Sequence, residues 1–129
     1  MQKKPFVERR KYIRFMIDAR VNFEVEGKAI SENNERKVPG LIKNLCFEGA
    51  CLILDEQFPP GHILKLELFL PSISEPIHVQ SEVRWSRPYM NQDVNSMYET
   101  GVKIININPK DQAVFIDFIR EKLLQAMSK

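Results

Sequence analysis

The chain has 129 residues, the length of one domain, and its 43% hydrophobic and 28% charged residues are ordinary globular proportions that exclude wholesale disorder. No apolar run approaches the roughly 20 residues of a membrane-spanning helix, and Met1-Gln2-Lys3-Lys4-Pro5 lacks the apolar stretch of a secretory signal, so a cytoplasmic domain without membrane insertion is expected. Net charge is +2, yet the first twenty residues sum to +5 and leave −3 on the remaining 109.

The excess comes from Lys3, Lys4, Arg9, Arg10, Lys11, Arg14 and Arg20 against Glu8 and Asp18. Residues 1–14 are read as a flexible basic arm, and 15–127 as the folded domain. Such an arm suits an anionic ligand held at one place, and it also describes a solvated tail. Charge alone does not separate the two.

Beyond the arm the dominant period is two. Ala19, Val21, Phe23 and Val25 alternate with Arg20, Asn22, Glu24 and Glu26, a half-buried strand ended by Gly27. Ser31 to Lys37 is polar, with Asn33-Asn34 as turn formers. Leu41–Lys43 and Ala50–Leu54 then form two short strands around the turn Asn44-Leu45-Cys46-Phe47-Glu48-Gly49. Pro59-Pro60-Gly61 is a break, after which Leu64, Leu66, Leu68 and Leu70 alternate with Lys65 and Glu67 until Pro71.

In the next strand Ile77, Val79, Val83 and Trp85 are assigned to one face, and His78, Gln80, Glu82 and Arg84 to the other. On this pattern Trp85 packs into the core. Ser86 to Ser96 reads as a long loop or open hairpin, and Tyr98–Ile105 as the last strand. The period changes at Asn108, a good N-cap, with Pro109 at the first helical position and Asp111 at the positive helix end. Phe115, Ile119 and Leu123, flanked by Phe118 and Ala126, give the apolar stripe of a helix over about 109–127. Six short strands and one helix predict a small closed barrel capped by that helix, since closure removes exposed edges.

Catalysis finds no support. Cys46 and Cys51 read as free, reduced thiols, and with His62 and His78 they do not make a metal set. There is no Ser/His/Asp arrangement, paired carboxylate or glycine-rich phosphate loop. The class expected is a binding module, without metal or cofactor.

Two features carry binding chemistry. In an extended segment Arg10 and Arg14 face the same side, with Tyr12 between them at the same parity. Two guanidiniums so placed can grip phosphate oxygens, or the O6 and N7 edge of guanine. The turn Asn44-x-Cys46-x-x-Gly49 adds a carboxamide that can accept from guanine N–H groups, and a glycine that admits close approach.

Arg10-Lys11-Tyr12-Ile13-Arg14, followed after 29 residues by Asn44-Leu45-Cys46-Phe47-Glu48-Gly49, resembles the signature of the PilZ domain family. That signature is Arg-x-x-x-Arg and then Asp/Asn-x-Ser-x-x-Gly. Val83-Arg84-Trp85 and Tyr98 to Lys103 resemble the family's later strands, and the likeness covers residues 8–124. It implies a six-stranded antiparallel barrel of split-barrel, Greek-key type that binds cyclic di-GMP. Arg10 and Arg14 would hold phosphate and guanine from the arm, Asn44 would read a guanine, and Gly49 would leave room for the ligand. Arg9, just before the motif, implies a stacked ligand dimer, two molecules per chain, and Trp85 is the candidate for stacking on a base.

Cys46 stands where the family usually has Ser, and a thiol is the poorer hydrogen-bonding group. Losing one neutral bond is worth about 0.5–1.5 kcal/mol, a two- to tenfold weaker affinity. The implied output is contact with an effector protein once the arm orders around the ligand. Two other readings compete with it. A PilZ-like scaffold that binds only protein is kept open by Cys46. A single-stranded nucleic-acid binder is opposed by the net negative body, which offers no basic track.

Overall fold

The period-two alternation produces strands whose apolar sides must share one interior, and six of them do so by closing on themselves. In the computed structural model, which describes residues 15–26, 38–89 and 97–127, these are β1 (Phe15–Val25), β2 (Val38–Leu45), β3 (Gly49–Leu54), β4 (Ile63–Phe69), β5 (Ile77–Pro88) and β6 (Tyr98–Ile107). Their order around the barrel is β1-β2-β3-β6-β5-β4, with β4 pairing back onto β1. Every pairing is antiparallel. The order β3-β6-β5-β4 is a Greek key, because β4, β5 and β6 form a meander and β3 lies beside its last strand.

The interior is filled by the inward residue of each pleat. Val21 and Phe23 meet Ile42, Leu52, Leu54, Leu64, Leu66, Leu68, Ile77, Val83 and Val102, all buried in one cluster. Phe58 closes over this cluster, its ring edge-on to Phe23 with centroids 5.8 Å apart. Ser81 is also fully buried on the inward side of β5, and its Oγ satisfies itself by donating to the Leu64 carbonyl at 3.0 Å.

The C-terminal helix begins as a single 3-10 turn at Pro109–Asp111 and continues as α1 (Gln112–Met127). Asn108 caps it, its side-chain oxygen accepting from the Lys110 amide at 3.2 Å. The start of the helix is tied to β5 at one residue. The Asn108 amide donates to the His78 carbonyl at 3.0 Å, and the His78 amide donates to Asp111 Oδ2 at 2.8 Å. Phe115, Phe118 and Ile119 then join the barrel core with Leu123 half-buried beside them, whereas Ala126 is exposed.

Several boundaries and one facing differ from the sequence pattern: β2 spans Val38–Leu45 and takes in Asn44, which was expected in the turn, and β6 runs on to Ile107. β1 starts at Phe15, before the alternation becomes visible at Ala19. β5 runs on through Ser86–Pro88 where a loop was expected, because these residues pair with Thr100, Glu99 and Tyr98 and extend the hairpin. Pro88 is tolerated there as the final residue of the strand. The facing that differs is that of Trp85, which leaves the face shared by Ile77, Val79 and Val83 and points outward, 36% exposed. Gly27, Asn33-Asn34 and residues 90–96 lie outside the described residues.

Among the described residues no helix is long and apolar enough to cross a membrane, and no His, Cys, Asp and Glu cluster suits a metal ion. Because Phe115 is fully buried, Phe115→Ala should cost about 3–5 kcal/mol of unfolding free energy. Val114, 40% exposed on the other side of the same helix, should lose under about 0.5 kcal/mol on truncation to Ala. Urea unfolding of the two variants checks this, and equal small losses would show that the helix is not part of the core.

Candidate functional site

Register brings Asn44 of the turn motif and the sequence-distant Trp85 into one row of the sheet. Asn44 on β2 pairs with Cys51 on β3, Cys51 with Gly101 on β6, and Gly101 with Trp85 on β5. Four strands are crossed in this row, so Asn44 and Trp85 stand three strand spacings apart, about 14 Å along the sheet. The flanking outward row runs Leu41, Ile53, Glu99 and Arg87. On the other side Gly49, Lys103 and Glu82 form a third row.

Two β-bulges create this arrangement. Between Ile42 and Asn44 the register against β3 slips, which sets Lys43 and Asn44 together opposite Cys51. Between Val83 and Trp85 it slips against β6, so that Arg84 and Trp85 follow one another on the exposed side. The second bulge is the physical reason that the parity assignment of Trp85 fails. Its indole lies over Gly101, where a Cβ would collide with the ring atoms Cε2 and Nε1.

The turn joining β2 and β3 is closed by the Cys46 amide donating to the Gly49 carbonyl at 2.9 Å. Cys46 is 2% exposed, so its thiol packs within the fold. Gly49 also has an internal reason to be glycine, since a Cβ there would collide with the backbone carbonyl oxygen of Val102 on β6. The close approach of β3 and β6 therefore requires it, whether or not a ligand does. Asn44 is different in kind. Its Oδ1 is buried and has no hydrogen-bond partner among the described residues, a state that costs about 1–3 kcal/mol until a donor arrives.

Glu99 knits the strip together. Its Oε2 accepts from Lys43 Nζ at 2.7 Å and from Cys51 Sγ at 3.6 Å, and its Oε1 accepts from Arg87 Nε at 3.1 Å. Only 12% of the Glu99 side chain is exposed, against 35% for Lys43 and 65% for Arg87. The hydrogen bond from Lys43, reinforced by the one from Arg87, holds the Glu99 carboxyl below its ordinary value although burial opposes this. The same bond raises Lys43 above its ordinary value, again against desolvation. The Arg87 guanidinium in turn sits over the Trp85 ring, 4.8 Å from its centroid, in cation–π contact.

Beside the strip lies a cavity of about 270 Å³ lined by Glu48, Gly49, Arg84, Trp85, Gly101, Val102 and Lys103. A larger cavity of about 460 Å³ opens on the β1–β4–β5 side, between Glu26, Lys65, Glu67, His78 and Asn106, and its described lining includes none of the expected ligand-binding residues. The strip therefore offers a carboxamide acceptor, a flat indole and guanidinium groups, the chemistry that holds a planar anion by stacking and hydrogen bonding. Arg9, Arg10 and Arg14 lie outside the described residues. The first described residue, Phe15, pairs with Leu45, one position from Cys46. Lys43, Arg87 and Glu99 were not expected as site residues: Lys43 and Glu99 read as ordinary strand charges, and Arg87 fell in the loop expected from Ser86 to Ser96.

The chain is thus a six-stranded Greek-key barrel with a C-terminal helix, carrying an outward strip of polar and aromatic side chains beside the β2–β3 turn. The PilZ domain family matches residues 8–121, and the chain belongs to that family. PilZ domains are regulatory receptors rather than enzymes, and the family is one of cyclic di-GMP receptors and effectors.

Solved structures share the fold at low identity. The Bacillus subtilis inhibitor of motility, MotI/DgrA, is 20% identical with a TM-score of 0.65, over 92% of this chain and 53% of that one. The PilZ domain of YcgR from Escherichia coli with c-di-GMP is 12% identical, TM-score 0.61, over 95% and 99%. The K. pneumonia MrkH–c-di-GMP complex is 16% identical, TM-score 0.61, over 94% and 54%. This chain thus spans about half the length of MotI and MrkH. No curated protein matches the sequence.

Two outcomes test the site's physics without any ligand. Gly49→Ala should destabilise the protein by about 1–3 kcal/mol, because β3 or β6 must shift to admit the methyl group. A melting temperature unchanged from wild type would show that the strands can separate there freely.

The second outcome concerns pH. Glu99→Gln should cost about 1 kcal/mol at neutral pH, the size of a partly exposed ion pair. Glu99 is lowered in the fold, so its share is present above the ordinary 4.5 and is lost as pH falls through the lower folded value. Lys43 is raised, so its share is complete below 10.5 and is lost only as pH rises past its higher folded value. The gap between wild type and variant should be flat from pH 6 to 9 and shrink in acid; denaturant titrations showing it widen in acid would refute the pairing.

Proposed function

We propose that this chain is a cyclic di-GMP receptor that binds the nucleotide on the outward strip between Asn44 and Trp85 and signals through contact with an effector protein. The observation that carries this reading is Asn44 Oδ1, buried and lacking a donor among the described residues, in the one row that also holds the outward Trp85. A guanine N1–H or N2–H supplies the missing donor.

The arginine motif supports the same site. Residues 10–14 immediately precede Phe15, whose partner Leu45 lies in the turn motif. In this reading Arg10 and Arg14 take phosphate and the guanine O6/N7 edge, and Asn44 takes a second hydrogen-bonding edge. Trp85 supplies the aromatic part of a stacking surface on the outside of the barrel, with Arg87 lying over its ring. Gly49 holds the turn against β6, and the buried Cys46 contributes packing at the turn. Arg9 is assigned to a second, stacked nucleotide. Membership of the family and its likeness to chains solved with c-di-GMP support the ligand class.

Isothermal titration of cyclic di-GMP into wild type and Arg10→Ala/Arg14→Ala tests the reading. Each arginine supplies a charge-assisted bond of about 1.5–3 kcal/mol, so the double variant should bind roughly 10²- to 10⁴-fold more weakly. A stoichiometry near two supports the stacked pair, and near one removes it. No binding by wild type would leave a PilZ scaffold that contacts only protein.

A further inference from the structure

Trp85 does not face solvent bare. Its indole rests on Gly101, and the Arg87 guanidinium lies over the ring at 4.8 Å. Arg87 is 65% exposed and would sample many rotamers if nothing held it. Glu99 holds it by one bond only, from Nε at 3.1 Å, and the two terminal guanidinium nitrogens make no hydrogen bond to described residues. Glu99 in turn is 12% exposed and fixed from the other side by Lys43, the neighbour of Asn44.

We propose that Arg87 is itself a ligand-contacting residue, and that Glu99 is the positioning residue that keeps its guanidinium over Trp85. This rests on the cyclic di-GMP reading above and deepens it. The guanidinium plane, backed by the indole, presents a cationic face on which a purine stacks. Its terminal N–H groups remain available to a phosphate or a base edge. Glu99 reaches both ends of the strip, because one carboxylate oxygen serves the cation beside Asn44 and the other serves the cation on Trp85. The ligand therefore meets a preset cation rather than one that must be ordered on binding.

Trp85 is the only tryptophan, so fluorescence excited at the red edge, beyond tyrosine absorption, reports this site alone. In the unliganded protein, acrylamide should quench Trp85 more strongly in Arg87→Ala and in Glu99→Gln than in wild type. In titrations with cyclic di-GMP, each single variant should bind about five- to thirtyfold more weakly, the worth of one desolvated cation–π or charged contact. The double variant should be no weaker than Arg87→Ala, since Glu99 acts through Arg87. Arg87→Lys keeps the charge and loses the plane, and should not restore affinity.

Arg87→Ala changes an exposed side chain and is expected to fold, which protects the test if Glu99→Gln does not. Wild-type binding with Arg87→Ala unaffected would overturn this inference while leaving the receptor reading intact. Additive losses, or rescue by Arg87→Lys, would overturn the positioning role or the stacking role respectively. Absence of wild-type binding would remove the receptor reading, and this inference with it.

Discussion

A strand with a two-residue period can show the outside of a closed barrel only every second side chain, and a continuous binding strip must be assembled within that restriction. Here it is relaxed twice in one row. The β2 bulge delivers Lys43 and Asn44 together, and the β5 bulge delivers Arg84 and Trp85 together. Without the first, Ile42 in the core would turn Asn44 inward and Leu45 outward. Without the second, Trp85 would follow Val83 inward and compete for space with the buried cluster.

The electrostatics of the strip follow from the same register. Glu99 is opposite Arg87 across β5–β6, and it meets Lys43 across β3, that lysine pointing outward next to the inward Ile42. A largely buried carboxylate between two more exposed cations is the stable arrangement, since the group hardest to solvate is the one most fully paired. The cations then extend toward the two ends of the strip, one beside Asn44 and one over Trp85. Packing makes a related demand. Gly101 leaves room for an indole and Gly49 for a carbonyl, so two glycines on adjacent strands serve the fold and shape the strip at once.

Much of the architecture was open to reading in the chain alone, because alternation and turn chemistry are local. Val21 and Phe23, the leucines at 64, 66 and 68, and the Asn108–Pro109 helix start each carry their own signal, and each sits where that signal requires. Ser86–Pro88 escaped because proline and polar residues mimic a loop, whereas pairing with Tyr98–Thr100 is a property of a distant segment. Trp85 escaped for a related reason: Val83-Arg84-Trp85 is a regular alternation until the partner strand is shorter by one residue.

The sequence by itself determined the family, the strand and helix inventory, and the existence of two motifs, since these depend on residue type and spacing along one chain. Tertiary structure alone decided that Asn44 and Trp85 share a row, that Trp85 faces outward over Gly101, and that Glu99 joins Lys43 to Arg87. The reason is physical. Bulge positions and cross-strand neighbours are set by how six separate segments settle into one closed register, and no single segment contains that information.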